Sequence, residues 1–292
     1  MFSNFEAEKL INEYKQELSE NTKKFSSLII KVLPFTVSFL IVFFLVSDVT
    51  QNSDTLMIVV AFLVIFLIGF ISFIFIYEYN SIYKTRKSVL FKRIYEKIRD
   101  DLELEITYVD EKKTDNTFVL EGGLFNKQSR VVVSRNIIGK TENNIEFSFY
   151  DLQLIVGSGQ YQQIQHNGLY SIIKFESDYV IQVRSKGKPQ TKKYSFKQVE
   201  EVADFKVYIE HNKNFTGIDK MIVAGLRDIK NQLLAKSVYL SIDKNVIHFA
   251  SQKKNKIKYK REVDVDLLNF LYNEFKTEIL VLDKLVEKIS LS

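Results

Sequence analysis

Two uninterrupted apolar stretches, nine residues apart, constrain this chain more than any other feature. The first, LIIKVLPFTVSFLIVFFLV (Leu28 to Val46), has 19 residues and one charge, Lys31. The second, LMIVVAFLVIFLIGFISFIFIY (Leu56 to Tyr77), has 22 residues and no charge. At about 1.5 Å of rise per residue, a helix of the second length reaches roughly 33 Å, enough for a hydrocarbon core about 30 Å thick. Helices buried in water-soluble domains rarely stay apolar for so long, and in lipid a lone segment satisfies its backbone only as a helix. Two membrane spans are therefore expected. Lys31 can snorkel to the headgroups, and Pro34 falls in the first turns, where its missing N–H costs little. The first span reads as a retained anchor. Its apolar run exceeds the about 7–15 residues of a signal peptide, and FLVSD after it has no small-x-small cleavage site.

The flanking charges orient this hairpin. The connecting loop, SDVTQNSDT, holds two Asp and no Lys or Arg. Lys9, Lys15, Lys23 and Lys24 precede the first span; Lys84, Arg86, Lys87, Lys92, Arg93, Lys97 and Arg99 follow the second. The positive-inside rule places both flanks, and with them both termini, in the cytoplasm. The expected organisation is an amphipathic helix over residues 1–27, a transmembrane hairpin over 28–77 (spans 28–46 and 56–77), a basic helical stalk over 78–104, and a cytosolic α+β domain over 105–292. At the start, SNFE (Ser3 to Glu6) has the form of a capping box, and Ala7, Ile11, Tyr14 and Leu18 share one helical face. That face can lie on a membrane or partner, or pack on the chain's own domain; the sequence leaves both open. In the stalk, Tyr79, Ile82, Tyr83, Val89, Leu90, Ile94, Ile98 and Leu102 form an apolar face opposite a basic one. Each membrane-proximal cation (Lys84, Arg86, Lys87, Lys92, Arg93) is worth about 1 kcal/mol against an anionic leaflet. Setting topology is by itself a sufficient reason for them.

From about residue 105 the hydrophobic period changes to 2. The tripeptide Gly139-Lys140-Thr141 resembles the end of a phosphate-binding loop. That loop needs G-x-x-x-x-G-K-[ST] opening a helix, whereas Ser134 holds the first glycine position and Asn143-Asn144 with IEFSFYDLQLIV predict a turn and a strand. Nucleotide binding there is not expected, and Gly139 reads as a bend or bulge. Further strands are expected at Gly168–Ser177, Asp178–Ser185 and Phe205–Glu210, and a hairpin at Ser237–Ala250. One helix is expected with Ile218, Met221, Ile222, Ile229 and Leu233 inward, and a second from about Asp264 to Ile289 with Leu267, Leu268, Leu271, Phe275, Leu282 and Val286 inward. Strand runs with helices set among them define α+β, with a mixed, mainly antiparallel sheet.

The order of segments GLF (Gly123 to Phe125), IIGKTENNIEFSFYDLQL (Ile137 to Leu154), GLYSIIKF (Gly168 to Phe175), DFKVYIEHN (Asp204 to Asn212) and VYLSIDKNVIHFA (Val238 to Ala250) resembles an uncharacterised bacterial membrane-protein family, the domain-of-unknown-function family numbered thirty-one thirty-seven. The likeness spans roughly residues 80–290. Where that family has GKIGxTxIEFSE, this chain reads RNIIGKTENNIEFSFY, with the glycine–lysine pair shifted and Phe149 in place of an acid. The resemblance implies two membrane spans, a cytosolic α+β region and a bacterial inner membrane. It implies no reaction.

The composition removes several chemistries. With no Cys there is no disulfide, thiol nucleophile or thiolate metal site, and 10 Gly in 292 residues argue against folds built on glycine-rich cofactor loops. His166, His211 and His248 lie in separate segments without partners at metal-ligand spacing, so each reads as a structural strand or loop histidine. No catalytic, cofactor or metal residue is assigned. GSGQY (Gly157 to Tyr161) reads as a turn, RSKGKPQTKK (Arg184 to Lys193) as a solvated turn, and the acids Asp100, Asp101, Glu103 and Glu105 as partners in salt bridges rather than a cation site. The sharpest charged feature is KKNKIKYKR, with Lys253, Lys254, Lys256, Lys258, Lys260 and Arg261. It can serve as an anion surface for lipid headgroups or, less readily, nucleic acid, or as a lysine-guarded edge strand; the last needs no ligand. The partners expected are membrane lipids and a second copy or another membrane-associated protein. The function expected is a non-enzymatic membrane protein whose cytosolic domain binds protein or self-assembles, the alternative being a membrane-anchored enzyme or ligand sensor with an unfamiliar pocket.

Overall fold

The computed structural model describes residues 2–17, 19–20, 88–109, 117–126, 130–141, 144–175, 179–191, 193–202, 204–214, 216–253 and 263–290, with single positions between 23 and 72. The chain forms two compact units, Phe2–Phe91 and Lys92–Ser292. In the first, helix α1 covers residues 4–17. Ser3 caps it as the sequence predicts: its Oγ accepts the Glu6 N–H at 3.2 Å, and Glu6 Oε2 accepts the Ser3 N–H at 2.9 Å. Ala7, Leu10 and Ile11 are its buried residues. Among the described residues no helix is long and apolar enough to cross a membrane. The two stretches expected to do so, 28–46 and 56–77, lie almost wholly outside the described residues, as do Lys84, Arg86 and Lys87.

The second unit is mixed α+β around a mainly antiparallel sheet. It begins within helix α2 (residues 88–102) and continues through β1 (Ile106–Val109), α3 (Thr117–Glu121), β2 (Arg130–Lys140), β3 (Glu146–Val156), β4 (Gln163–Lys174), β5 (Val180–Arg184), β6 (Phe196–Val202), β7 (Phe205–Glu210), α4 (Gly217–Gln232), β8 (Ala235–Asp243), β9 (Val246–Lys253) and α5 (Val265–Ser290). The nine strands form one sheet in the order β1-β2-β3-β4-β9-β8-β5-β7-β6. The meander β1–β4 and the group β5–β7 are joined only when the late hairpin β8–β9 inserts between them, β9 on β4 and β8 on β5. β9 is therefore an interior strand, and the edges of the described sheet are β1 and β6. Residues 254–261, with Lys254, Lys256, Lys258, Lys260 and Arg261, lie outside the described residues.

Strand alternation gives the sheet two unlike faces. Directly opposed residues Ile137, Phe149, Ser171, Phe249, Leu240, Val183 and Val207 run across one face. Helices cover it. Phe275 of α5 stacks on Tyr95 of α2 at 5.2 Å, and α4 lies on α5, with Lys288 bonded to Asp228 at 3.2 Å. Asp264 caps α5 through a 2.7 Å bond from the Leu267 N–H. The inward face of α4 is Ile222, Val223, Leu226 and Ile229; Met221, expected inside, is exposed.

A bulge in β2 between Val133 and Arg135 decides what this core contains. Val131 and Val133 belong to the opposite face, and plain alternation would send Arg135 there too. The extra residue reverses the parity and turns Arg135 into the helical layer. There its Nη2 donates to Glu278 at 2.7 Å and its Nη1 to Tyr95 Oη at 2.8 Å, with the guanidinium 4.0 Å from the Phe275 ring centre. Gly139 is not the bulge. It pairs in register with Ile106 and Phe147, and glycine is needed because a Cβ would stand 2.6 Å from the Glu105 carbonyl. Thr141 closes the β2–β3 hairpin, its Oγ1 accepting the Ile145 N–H at 3.2 Å, so no helix follows the GKT sequence. Three acids of the run at the end of α2 engage neighbours as expected: Lys97 reaches Asp101 at 3.1 Å, Arg99 reaches Asp100 at 2.9 Å, and Lys140 reaches Glu105 at 3.2 Å.

Candidate functional site

Among the described residues no long helix lies over the second face of the sheet. Its centre is covered by α3 and the following residues, 117–126, which pack Phe118, Val119, Leu124 and Phe125 on Tyr150, Leu152, Leu154, Tyr170, Tyr239 and Ala250. Neither α3 nor β6 was anticipated from periodicity, because a five-residue helix has too few turns to show a face. Beneath this cover the floor is polar. Register aligns Tyr170 with Ala250, His248 with Ser241, Ser241 with Gln182, and Tyr239 with Arg184. Side chains of the floor hold carbonyls of the cover. Tyr170 Oη lies 3.3 Å from Phe118 O and 3.4 Å from Val119 O, Gln182 Nε2 reaches Gly122 O at 3.4 Å, and Arg184 Nη2 donates to Leu124 O at 2.8 Å. From the other side, the Gln190 N–H donates to Gly123 O at 2.9 Å.

The two glycines of EGGLF permit this close seating. A Cβ on Gly122 would lie 2.6 Å from His248 Cγ and 2.7 Å from Tyr170 Oη; Gly123 adopts φ +58° and has Thr191 at 2.6 Å from the same position. Gly122→Ala is accordingly expected to lift the cover, at a cost of about 1–3 kcal/mol for overpacking, read by urea denaturation, with faster proteolysis around residue 122.

His166 and His248, far apart in sequence, both lie under this cover, whereas His211 is exposed in the turn after β7. His166 donates from Nε2 to Leu169 O at 3.1 Å, packs on Phe125 at 4.8 Å, and leaves Nδ1 buried without a partner among the described residues. Burial holds its pKa down at about 4. His248 Nδ1 lies 3.0 Å from Tyr170 Oη. Tyr170 has one hydroxyl proton, and the assignment that satisfies every group has His248 Nδ1–H donating to Tyr170 Oη while Tyr170 O–H serves the Phe118 and Val119 carbonyls. The imidazole is then neutral with Nε2 as an acceptor, and burial keeps its pKa at about 4 despite the Asp243 carboxylate.

His248 also lines a cavity of about 780 Å³ at the edge of the cover, together with Thr117, Leu120 and Glu121 from α3, Thr191, Lys193, and the β8–β9 turn from Asp243 to Val246. Lys193 Nζ and Tyr194 Oη both donate to the Asp243 carboxylate, at 2.6 and 2.5 Å. Burial opposes ionisation of Asp243, but these two bonds outweigh it and hold the carboxyl below its usual range, while the same bond raises Lys193. The mouth thus carries a paired ammonium and carboxylate, and the interior a neutral His–Tyr couple. Among the described residues no group of three or more His, Asp or Glu could hold a metal ion.

A second cavity of about 640 Å³ lies on the same face over β1–β4, lined by Ile138, Ile172, Thr107 and Ser148 among others. Its rim charges neutralise one another, Lys174 with Glu146 at 2.7 Å and Lys140 with Glu105 at 3.2 Å, and no buried polar group converges on it from the described residues. The first cavity is therefore the stronger candidate.

Of the charged residues singled out from sequence, the described Lys92, Arg93 and Lys253 line neither cavity, whereas Arg99 and Glu105 line the second. Lys92 and Arg93 are exposed on α2, Arg93 bonding Glu96 at 3.2 Å, and Lys253 ends β9. The segment Arg184–Lys193 is an exposed bend in its middle, at Lys186, Gly187 and Lys188, as expected, but its ends depart from a simple turn. Arg184 closes β5, all five of whose residues are buried, and Lys193 belongs to the cavity mouth. The alternation in VIQVR places Gln182 and Arg184 on one face, but a polar face of a strand reads as a wet one unless the cover 60 residues earlier is known. No family model, curated protein or solved structure matches the chain.

Proposed function

We propose that this chain is a two-span protein of a bacterial inner membrane, with both termini cytoplasmic, that holds a small-ligand-binding domain at the membrane surface. The observation that carries the binding reading is the short cover seated by side-chain-to-carbonyl bonds on a polar floor, beside a cavity of about 780 Å³. Ligand sites combine an apolar wall with a few converging polar groups, and here Leu120 and Val246 supply the first while Thr191, Lys193, Asp243 and His248 supply the second, with the buried Tyr170, Gln182 and Arg184 under the adjoining cover. The cover is held by apolar packing of Phe118, Val119, Leu124 and Phe125 and by hydrogen bonds worth about 0.5–1.5 kcal/mol net each. A ligand that supplies acceptors replaces the bonds, while a local shift of the segment makes room. The membrane part of the proposal is supported by the length and flanking charge of residues 28–77. Binding of a second copy or another membrane-associated protein is the output in this reading, since a displaced cover changes what this face presents.

The test is retention of small molecules by the full chain in nanodiscs, incubated with a defined panel of polar metabolites and analysed by mass spectrometry. Wild type is expected to retain one chemical class and to lose it in Lys193→Ala or His248→Phe. Retention of nothing by well-folded wild type, or equal retention by both variants, contradicts the proposal.

A further inference from the structure

One cation of the floor is only half satisfied by the cover. Arg184 is 4% exposed. Its Nη1 donates to Gln182 Oε1 at 3.2 Å, its Nη2 to Leu124 O at 2.8 Å, and its guanidinium carbon lies 5.3 Å from the Tyr239 ring centre. Its Nε is buried and has no hydrogen-bond partner among the described residues. Among the described residues no carboxylate acts on it; the groups that do are Tyr239 and Tyr208. Arg135, equally buried on the other face, has Glu278 at 2.7 Å. A guanidinium cannot escape burial by losing its proton, so the charge of Arg184 stays in the interior, with neutral oxygens alone around it.

The geometry of the unfilled part is informative. Nε–H and one Nη2–H lie along the same edge of the planar guanidinium and point in parallel, which is the fork that takes both oxygens of a carboxylate. A single backbone carbonyl, Leu124 O, accepts from Nη2, and among the described residues none accepts from Nε. There is also room beside it: at Gly187 (φ +80°) a Cβ would meet, among the described residues, only Arg184 Nη2, at 3.8 Å. Next along the cover, Gly122 O accepts the long 3.4 Å bond from Gln182 Nε2. Movement of residues 122–124 alone would free both donors.

We propose that Arg184, with Gln182 beside it, is a carboxylate-binding site, and that the Leu124 and Gly122 carbonyls are stand-ins which a small carboxylate displaces. The proposal rests on the ligand-binding reading above and names its ligand class. Charge balance selects a monoanion. Lys193 is already matched by Asp243, so Arg184 is the one uncompensated cation of this described floor, and a dianion would bring an excess negative charge into the interior. The two-oxygen fork takes carboxylates and phosphates alike, so the preference for a small carboxylate rests on its single charge.

Acetate and lactate, with inorganic phosphate and chloride as controls at equal ionic strength, are titrated onto the full chain in nanodiscs. Thermal unfolding and amide hydrogen exchange are the readouts. The carboxylates are expected to raise the unfolding temperature and to speed exchange of the Gln190 amide, whose acceptor is Gly123 O. Arg184→Lys, which keeps the charge but loses the fork, is expected to weaken the carboxylate response about tenfold or more, and Gln182→Leu by less, each with an unchanged circular dichroism spectrum. No advantage of carboxylates over chloride, a preference for phosphate, or an Arg184→Lys response equal to wild type overturns the assignment. If the metabolite panel still yields a retained ligand, the carboxylate assignment alone has failed; if it yields none, the binding reading has failed with it.

Discussion

Between about pH 7 and pH 5 the second unit is expected to lose about 4 kcal/mol of stability, about 2 from each of two buried histidines. His166 and His248 have pKa values near 4 in the folded chain against the ordinary 6.5, because burial disfavours their charged forms. A depressed histidine pKa means that the unfolded chain binds protons first. The stabilisation is therefore whole above about pH 6.5 and falls progressively until the folded value near 4 is passed. Protonating His166 would charge a ring packed on Phe125, and protonating His248 would add a charge against Tyr170 beneath the cover. Carboxylates do not confuse this window. Asp101, held at about 2 chiefly by the Tyr272 hydroxyl, contributes stability that is lost only as pH falls below its ordinary 3.8. Urea denaturation of the full chain in nanodiscs, followed by far-ultraviolet circular dichroism at several pH values, measures the slope. The double variant His166→Asn, His248→Asn should flatten it, and an equal slope in wild type and variant would refute the assignment.

Glu278→Leu is expected to destabilise the same unit by about 3–5 kcal/mol, because Arg135 would be left charged in a dry layer. Both side chains are nearly inaccessible, at 1% and 3%, and Asp151 stays 3.6 Å from Arg135 as a longer ion-pair partner, which brings the loss toward the lower end of that range. For a unit of this size the loss corresponds to a fall of roughly 10 °C in Tm. Removing both charges should recover most of it, since Arg135→Met in a layer with Phe275, Phe149 and Tyr95 substitutes packing for pairing. Thermal unfolding of the single and double variants checks this. A double variant no more stable than Glu278→Leu would show that the pair itself, rather than avoidance of an orphaned charge, stabilises the fold.

The two faces differ in how far the sequence reveals them. Leu268, Leu271, Phe275, Leu282 and Val286 of α5 repeat at helical spacing and are buried as expected, and the hairpin Ser237–Ala250 has strong alternation around a Lys244-Asn245 turn. Both are local signals. Arg135 reaches the helical layer only because a bulge reverses the parity of β2, and nothing in RVVVSRNIIGK marks the extra residue. The cover was hidden for a different reason. Its seat is built from β4, β5, β8 and β9, and bonds such as Arg184 to Leu124 join residues 60 apart, so their polarity looks like exposure until topology brings the cover over them. Gly122-Gly123 was the one local hint, because adjacent glycines between apolar residues in EGGLF signal a close backbone approach.

Amide hydrogen exchange on the full chain in nanodiscs, without added ligand, tests the cover most directly. The Gly123 and Gln190 amides, bonded to Leu120 O and Gly123 O, are expected to exchange through a local opening well below the global unfolding energy, while Tyr239, Leu240 and Phe249 in the central hairpin exchange only with global unfolding. If Gly123 and Gln190 are as protected as the central hairpin, the 117–126 segment is a fixed part of the core and the binding site does not exist.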